Sequence, residues 1–294
     1  MRAFLSISLA ALAISWTTHA TAEPDWSNVD AALDRTGAVQ PGGIHRYGFP
    51  RGDLHVILDG VAIKPALALG GWVAFQPLND STAMIMGDLV LTETEVSPVM
   101  AKLLDGGVEV TAVHNHLLRA SPAPFYMHIG GHGDAVKLAV AIHSALTLSA
   151  TPPQAPPGTS APAIDLDTVK LDEAMGAKGK ANGGVYQFSV PRRDPVTENA
   201  MTIPATMGSA NAANFQPTGD GKAAVTGDFV VTAEEVNPLI RSLRTSGIEV
   251  TAIHSHMLDE QPRLFFVHFW ANDDAVKLAK GLRGALDQTA AARM

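Results

Sequence analysis

Two sets of histidines have the types and the spacing of metal ligands. His114 and His116 are separated by one residue, and His128 follows twelve positions later; His254, His256 and His268 repeat this pattern 140 positions further on. Neutral imidazole is a common ligand of zinc and copper, and three histidines with one open position form a usual catalytic arrangement. The spacing predicts a divalent transition-metal site, zinc or copper, in each set. A metal-bound water would allow hydrolysis there.

His132 distinguishes the two sets. It follows His128 within Gly130-Gly131-His132-Gly133, which is predicted to be a turn that brings a fourth imidazole to the first site. The second set has Asn272 at that position, and the bulky Trp270 is expected to fill the space beside it. The first half is therefore predicted to hold metal more tightly.

Two other interpretations of the histidines remain open. The imidazoles can line a small-molecule site without metal, acting as hydrogen-bonding groups, or they can form a structural network that satisfies backbone carbonyls in an envelope protein. The survival of all three positions in both sets makes a purely structural role harder to explain.

The histidines are expected on a β-hairpin. A His-x-His pair on a strand places both rings on one face, which would be shared with Val108, Val110 and Ala112. Glu109 and its counterpart Glu249 then fall on the opposite face, away from the site.

Several charged residues are predicted to have structural roles. Asp134 and Asp274 open helices as N-caps, and Thr92 with Glu95 has the pattern of a capping box. Arg51 with Asp53, repeated as Arg192 with Asp194, fits a structural ion pair better than an anion site. Asp88 and Asp228 follow glycine and are attributed to turns.

The order of elements predicts an α+β fold with a mostly antiparallel sheet and helices on one face in each half. A helix is expected from Trp26 to Gly37, capped by Ser27 or Asn28. Strands are expected over the following ranges: Gly43–Phe49, Leu54–Ile63, Trp72–Pro77 and Thr82–Leu91.

The chain is predicted to be an internal duplication, because residues 87–146 align without a gap on residues 227–286. The predicted boundaries are a signal peptide at 1–22, a first repeat at 23–148, a proline-rich linker at 149–163 and a second repeat at 164–294. Whether the repeats form two domains or one pseudo-symmetric unit stays open.

Composition limits the partners. The chain has 294 residues, no cysteine and a formal net charge of −8, with no basic cluster, so nucleic acid is not an expected partner. No phosphate loop or dinucleotide fingerprint is present, so no nucleotide cofactor is expected. Arg2, a short apolar run and Ala20-Thr21-Ala22 indicate a secretory signal, hence a periplasmic or secreted protein without a membrane span. The lack of cysteine excludes a lipid anchor.

The runs GDLVLTETEVSPVM, EVTAVHNHLL and HIGGHGDAVKLA give the chain a family resemblance. It resembles the LppY/LpqO family, a bacterial domain of unknown function often found in exported lipoproteins. The resemblance implies export and tandem domains, but it carries no activity. The resemblance covers nearly the whole chain after residue 22. The chain departs from the lipoprotein members of the family in having no cysteine.

We predict that the exported protein begins at Glu23 and carries no lipid. The small-x-small motif ending at Ala22 is the expected cleavage signal. Intact-mass spectrometry of the exported protein measures this directly. A mass that still includes residues 1–22, or an added acyl chain, would contradict it.

Overall fold

The computed structural model describes residues 24–155 and 162–292. The predicted signal peptide lies outside these residues, as does the centre of the predicted linker.

Each half contains the same succession of elements. The first half consists of α1 (Trp26–Leu33), β1 (Ala38–Gln40), β2 (Ile44–Pro50), β3 (Ile57–Leu58), β4 (Val61–Ala62), α2 (Pro65–Ala68), β5 (Gly70–Pro77), β6 (Thr82–Leu91), α3 (Glu93–Asp105), β7 (Glu109–His114), β8 (Phe125–Asp134) and α4 (Ala135–Leu146). The second half consists of α5 (Thr168–Met175), β9 (Lys180–Asn182), β10 (Val185–Pro191), β11 (Thr197–Glu198), β12 (Met201–Thr202), a 3₁₀ turn (Ala205–Met207), β13 (Ala210–Gly219), β14 (Lys222–Val231), α6 (Ala233–Thr245), β15 (Glu249–His254), β16 (Phe265–Asp274) and α7 (Ala275–Leu286).

The two halves build matching six-stranded sheets. The first has the order β1-β2-β5-β6-β8-β7, and the second has the equivalent order β9-β10-β13-β14-β16-β15. Every neighbouring pair is antiparallel. The α+β prediction, one antiparallel sheet per half, is therefore confirmed.

Helices cover the outer face of each sheet. In the first half Val29, Val99 and Ile142, from α1, α3 and α4, are buried against the sheet, and α5, α6 and α7 repeat this in the second half. The predicted caps are confirmed: Thr92 and Glu95 form a capping box, and the carboxylates of Asp134 and Asp274 accept backbone N–H bonds at the starts of α4 and α7.

The inner faces of the two sheets pack against each other. One apolar cluster between them joins Met84 and Met86 of the first half to Phe266 and Val230 of the second, and another buries Trp270 among first-half residues. Hydrogen bonds also cross: the Trp270 indole donates to Asp59 at 3.0 Å. The halves therefore form one pseudo-symmetric unit of four layers, helices–sheet–sheet–helices.

Three local predictions are wrong. Residues 54–63 do not join the sheet as one strand but form the small hairpin β3–β4. The cap of α1 is Asp25 rather than Ser27 or Asn28, and that helix ends at Leu33. The Gly130–Gly133 segment is not a turn, because it continues β8 in register with β6 as far as Asp134.

The structural interpretation of Arg51 is supported by its contacts. Its guanidinium is only 1% exposed and binds Asp53, Glu95 and the Val90 carbonyl. Glu95 closes the α3 capping box as well, so the arginine fixes the start of that helix against the sheet.

Among the described residues, no helix is both long and apolar enough to cross a membrane.

Gly227 lies where strands β13 and β14 approach each other closely. A Cβ at this position would meet the Ala212 carbonyl oxygen at 2.0 Å, a contact that the backbone of two paired strands has little freedom to relieve. We predict that Gly227→Ala destabilises the fold by about 1–3 kcal/mol or more, the range for overpacking. Urea unfolding measures this.

Gly48→Ala is the matched control, because a Cβ there has open space in strand β2. It should change the free energy of unfolding by no more than about 0.5–1 kcal/mol. Equal effects of the two substitutions would contradict the close-approach argument.

Candidate metal centre

A β-bulge decides which way the histidines point. Val110 pairs with Ile129 on the helix-covered face, whereas Ala112 pairs with His128, and the register shifts between them at Thr111. The extra residue reverses the alternation of side chains. His114, which pairs with Tyr126, therefore points to the inner face. The prediction that it shares a face with Val108 and Val110 is wrong, and Thr251 marks the same shift in the second half.

The bulge also reverses the prediction for the glutamates. Glu109 pairs with Gly130, two positions from His128 on the same face. Its counterpart Glu249 accepts bonds from Arg119 of the first half at 2.8 and 3.0 Å, and Arg119 also binds Asp59. Both glutamates lie on the histidine side of their strands, and Glu249 connects the two halves through Arg119.

The structure brings all six predicted ligands of the His-x-His…His motifs into one cluster between the sheets. The two sets do not form a separate site in each half, as the sequence suggested. The closest histidine–histidine ring pairs all join one half to the other, each with 3.6 Å between centroids: His114 with His254, His116 with His268, and His128 with His256.

Within each half the His-x-His nitrogens converge. The Nε2 atoms of His114 and His116 lie 2.6 Å apart, and those of His254 and His256 lie 2.9 Å apart. Two overlapping sets of four imidazoles each have ligand nitrogens within 4.8 Å of one another: His114, His116, His128 and His254; and His114, His254, His256 and His268. His114 and His254 belong to both sets.

Aromatic rings support the outer side of the cluster. Tyr126 stacks on His116, and Phe266 stacks on His256, each at 3.5 Å. The Tyr126 hydroxyl donates to the Ala68 carbonyl at 2.7 Å, which holds that ring in place. One side chain of each His-x-His pair is thus clamped between an aromatic ring and a histidine of the other half.

Burial keeps the imidazoles neutral. Desolvation lowers the pKa of His254 to about 4. Desolvation, together with electrostatic repulsion from His254, lowers the pKa of His114 to about 3. The pKa values of the other four rings lie well below the ordinary range for the same reason, reinforced by neighbouring histidines. Neutral imidazole is the form that ligates metals.

Two half-buried aspartates, which the sequence alone assigns to turns, adjoin the histidines. Asp88 lies inside β6 opposite His128, with 3.8 Å between its Oδ1 and the histidine Nε2, and Asp228 lies equivalently opposite His268. Desolvation raises the pKa of Asp228 to about 7 and that of Asp88 well above its ordinary value, where Asp228 adds repulsion. The sequence feature that could have indicated these aspartates is a Gly-Asp pair that recurs in both halves inside an otherwise apolar strand.

His132 is not brought to the cluster. It is exposed on β8, four residues beyond His128, which is about 13 Å along a strand. Trp270 does not fill a space beside a second-half site either, since it packs on first-half residues. Both reasons for expecting a stronger first site therefore disappear.

The fold and the cluster define a duplicated α+β protein whose halves share one histidine-rich centre. The profile of one family, described as Domain of Unknown Function (DUF1259), matches residues 27–148 and again residues 169–288. The chain belongs to this family and contains two copies of its domain.

Other comparisons add no functional information. No curated protein matches the sequence. Among solved structures, a trimeric bacterial microcompartment shell protein, PduB, is 13% identical with a TM-score of 0.21, covering 85% of this chain and 88% of its own. EtuB from Clostridium kluyveri is 10% identical with a TM-score of 0.19, covering 85% and 90%. These scores are too low for a structural argument.

We predict that the metal-free protein loses stability as pH falls from about 6.5 towards 4. The unfolded chain protonates its histidines near their ordinary pKa of 6.5, whereas the six clustered rings stay neutral to much lower pH. Asp228 acts in the opposite sense, because its folded pKa is raised from 3.8 to about 7, and Asp88 does likewise. The six histidines outnumber the two aspartates, so acid favours unfolding, by about 1.4 kcal/mol per pH unit for each net proton.

Urea unfolding of metal-free protein at pH 8, 6.5 and 5 measures this slope. Replacing the buried stacked pair by His128→Gln with His256→Gln should flatten the slope. The exposed His132→Gln is the control and should leave it unchanged. Stability that is constant or rises on acidification would contradict the neutral-cluster argument.

Proposed function

We propose that the protein binds a divalent transition metal, zinc or copper, at the six-histidine cluster between its halves. The observation that carries the proposal is a pair of buried imidazole nitrogens without a hydrogen-bond partner among the described residues, His128 Nε2 and His268 Nε2, beside two His-x-His pairs whose Nε2 atoms converge. A buried polar atom left unpaired costs about 1–3 kcal/mol, and a metal ion bound by either ligand set would pair one of these two nitrogens.

The donor set supports this choice of metal. All six side chains offer neutral nitrogen, which suits zinc and copper and does not suit calcium or magnesium. The His-x-His Nε2 atoms are 2.6 and 2.9 Å apart, close to the roughly 3 Å that separates neighbouring ligands bound at about 2.0–2.1 Å. His114 and His254 are common to both ligand sets, so metal binding would draw ligands from both halves.

Contacts behind the ligands fit the same proposal. The His268 Nδ1–H donates to the Gly227 carbonyl at 2.9 Å, which leaves its Nε2 lone pair free. A hydrogen bond of this kind fixes the tautomer and the ring orientation of metal-ligating histidines. Asp88 and Asp228 lie beside the cluster as the carboxylates that would balance the charge of an ion.

We propose binding rather than hydrolysis as the function. A hydrolytic site needs an open ligand position that a substrate can reach. His128, His256 and His268 are 6%, 7% and 2% exposed, and only His114, His116 and His254 are partly accessible. Export to the periplasm or beyond belongs to the same proposal. It is supported by the signal-like residues 1–22 and by the resemblance to the LppY/LpqO family.

One observation favours a second candidate, a metal-free network that joins the halves. The 2.6 Å Nε2–Nε2 distance between His114 and His116 also fits a hydrogen bond between two neutral imidazoles in different tautomers, one protonated at Nε2 and the other at Nδ1. In that case the histidines would serve as a polar interface or as hydrogen-bonding groups for a small organic ligand.

We predict that His114→Ala and His254→Ala each weaken zinc or copper binding by at least about tenfold, because each removes a ligand common to both sets. Isothermal titration of untagged, metal-stripped protein measures the affinity. His132→Ala is the matched control: it removes an exposed histidine of the same strand and should leave binding unchanged.

The outcomes separate the candidates. Elemental analysis of untagged protein that finds no bound metal, together with titrations that give no heat of binding, would leave the metal-free network. Loss of binding in His114→Ala but not in His254→Ala would contradict a shared centre.

A further inference from the structure

The two buried arginines that begin the same motif in each half have different partners. In the first half every N–H of Arg51 is paired: Nη1 donates to Val90 and Glu95, Nη2 to Asp53 and Glu95, and Nε to Asp53. The Asp53 carboxylate lies along the Nε–Nη2 edge at 2.8–3.2 Å. This is the two-pronged geometry in which guanidinium binds carboxylate most strongly.

In the second half that edge is left largely unpaired. Arg192 keeps the equivalent Nη1 bonds, to Val230 and Glu235, at 2.8 and 2.7 Å. Asp194 has turned outward: its side chain is 59% exposed, and only one long contact of 3.4 Å reaches Nη2. The Arg192 side chain is 2% exposed, and its buried Nε has no partner among the described residues.

A cavity adjoins this arginine. It has a volume of about 190 Å³ and is lined by Arg192, Arg193, Asp194 and Ser209, among others. This volume is below the roughly 300–1,000 Å³ of sites for drug-sized ligands, so it suits a small molecule.

The sequence of the motif changes in the same direction. Gly52 of the first half corresponds to Arg193 in the second, which adds a cation where the partner carboxylate has moved away. Arg193 is exposed, and no hydrogen bond or ion pair of its side chain is found within the residues that the structure describes. Two cationic side chains therefore line the cavity, and Asp194, which also lines it, leaves the Arg192 Nε unpaired.

We propose that this cavity binds the carboxylate of a small organic acid. The carboxylate takes the place on Arg192 that Asp53 takes on Arg51, accepting from Nε and Nη2, with Arg193 as the second cation. The fixed fork of a buried guanidinium selects a planar oxyanion, because both donors lie in one plane. The site lies at the end of β10 and is independent of the histidine cluster.

Isothermal titration with succinate tests the proposal, with neutral succinamide as the control ligand. Wild-type protein should bind one succinate and no succinamide. Arg193→Gly, which copies the first-half sequence at an exposed position, should weaken succinate binding at least threefold. Arg192→Lys, which keeps the charge but removes the fork, should abolish it; if that variant does not fold, Arg193→Gly decides.

The first half supplies a matched comparison. Asp53 already occupies the Nε and Nη2 donors of Arg51, so the stoichiometry for the wild type should be one succinate rather than two. Absence of succinate binding to the wild type would overturn the proposal. This holds even if the Asp194→Asn variant binds succinate, because Asp194 would then be the group that occupies the position in the wild type. Binding that is unaffected by both arginine substitutions would also overturn it.

Discussion

The face-to-face packing of two equivalent sheets is the constraint on which the rest of the structure depends. The long helices cover only the outer faces, so each inner face has to be buried by the other half. Apolar clusters achieve this on two sides, and the six histidines occupy the middle. A polar middle layer is costly to desolvate, and the 3.6 Å contacts between rings of opposite halves, two of them stacked and one tilted, offset part of that cost.

Much of the fold was predictable from local sequence. The capping box before α3 and the N-cap aspartates of α4 and α7 are short patterns whose meaning depends on adjacent residues, and all were found where expected. The duplication was equally accessible, since equal spacing in two segments implies equal structure. Local patterns could not show that the inner faces meet, because alternation along a strand indicates which residues share a face but not what covers it.

The candidate site was found in part, and its errors have identifiable physical causes. One extra residue at Thr111 reverses the alternation, so counting in twos from Val108 assigned His114 to the wrong face and Glu109 away from the site. The sequence predicts a turn at Asp88 because a Gly-Asp pair usually forms one. In β6 the glycine is instead required by a backbone approach, where a Cβ at Gly87 would lie 2.8 Å from the Trp72 carbonyl. Both errors concern contacts between strands far apart in sequence.

The pattern of ring contacts has a consequence for how such a centre can be assembled. His114 meets its own counterpart, while His116 meets the counterpart of His128 and His128 meets the counterpart of His116. This reciprocity is the rule for an isologous interface between identical subunits. A chain with a single repeat could make the same contacts by forming a two-fold symmetric homodimer. The His114 side chains of its two subunits would then face each other across the axis. Fusion of the repeats frees the two halves from identity, which allows residues such as Gly52 and Arg193 to diverge away from the axis.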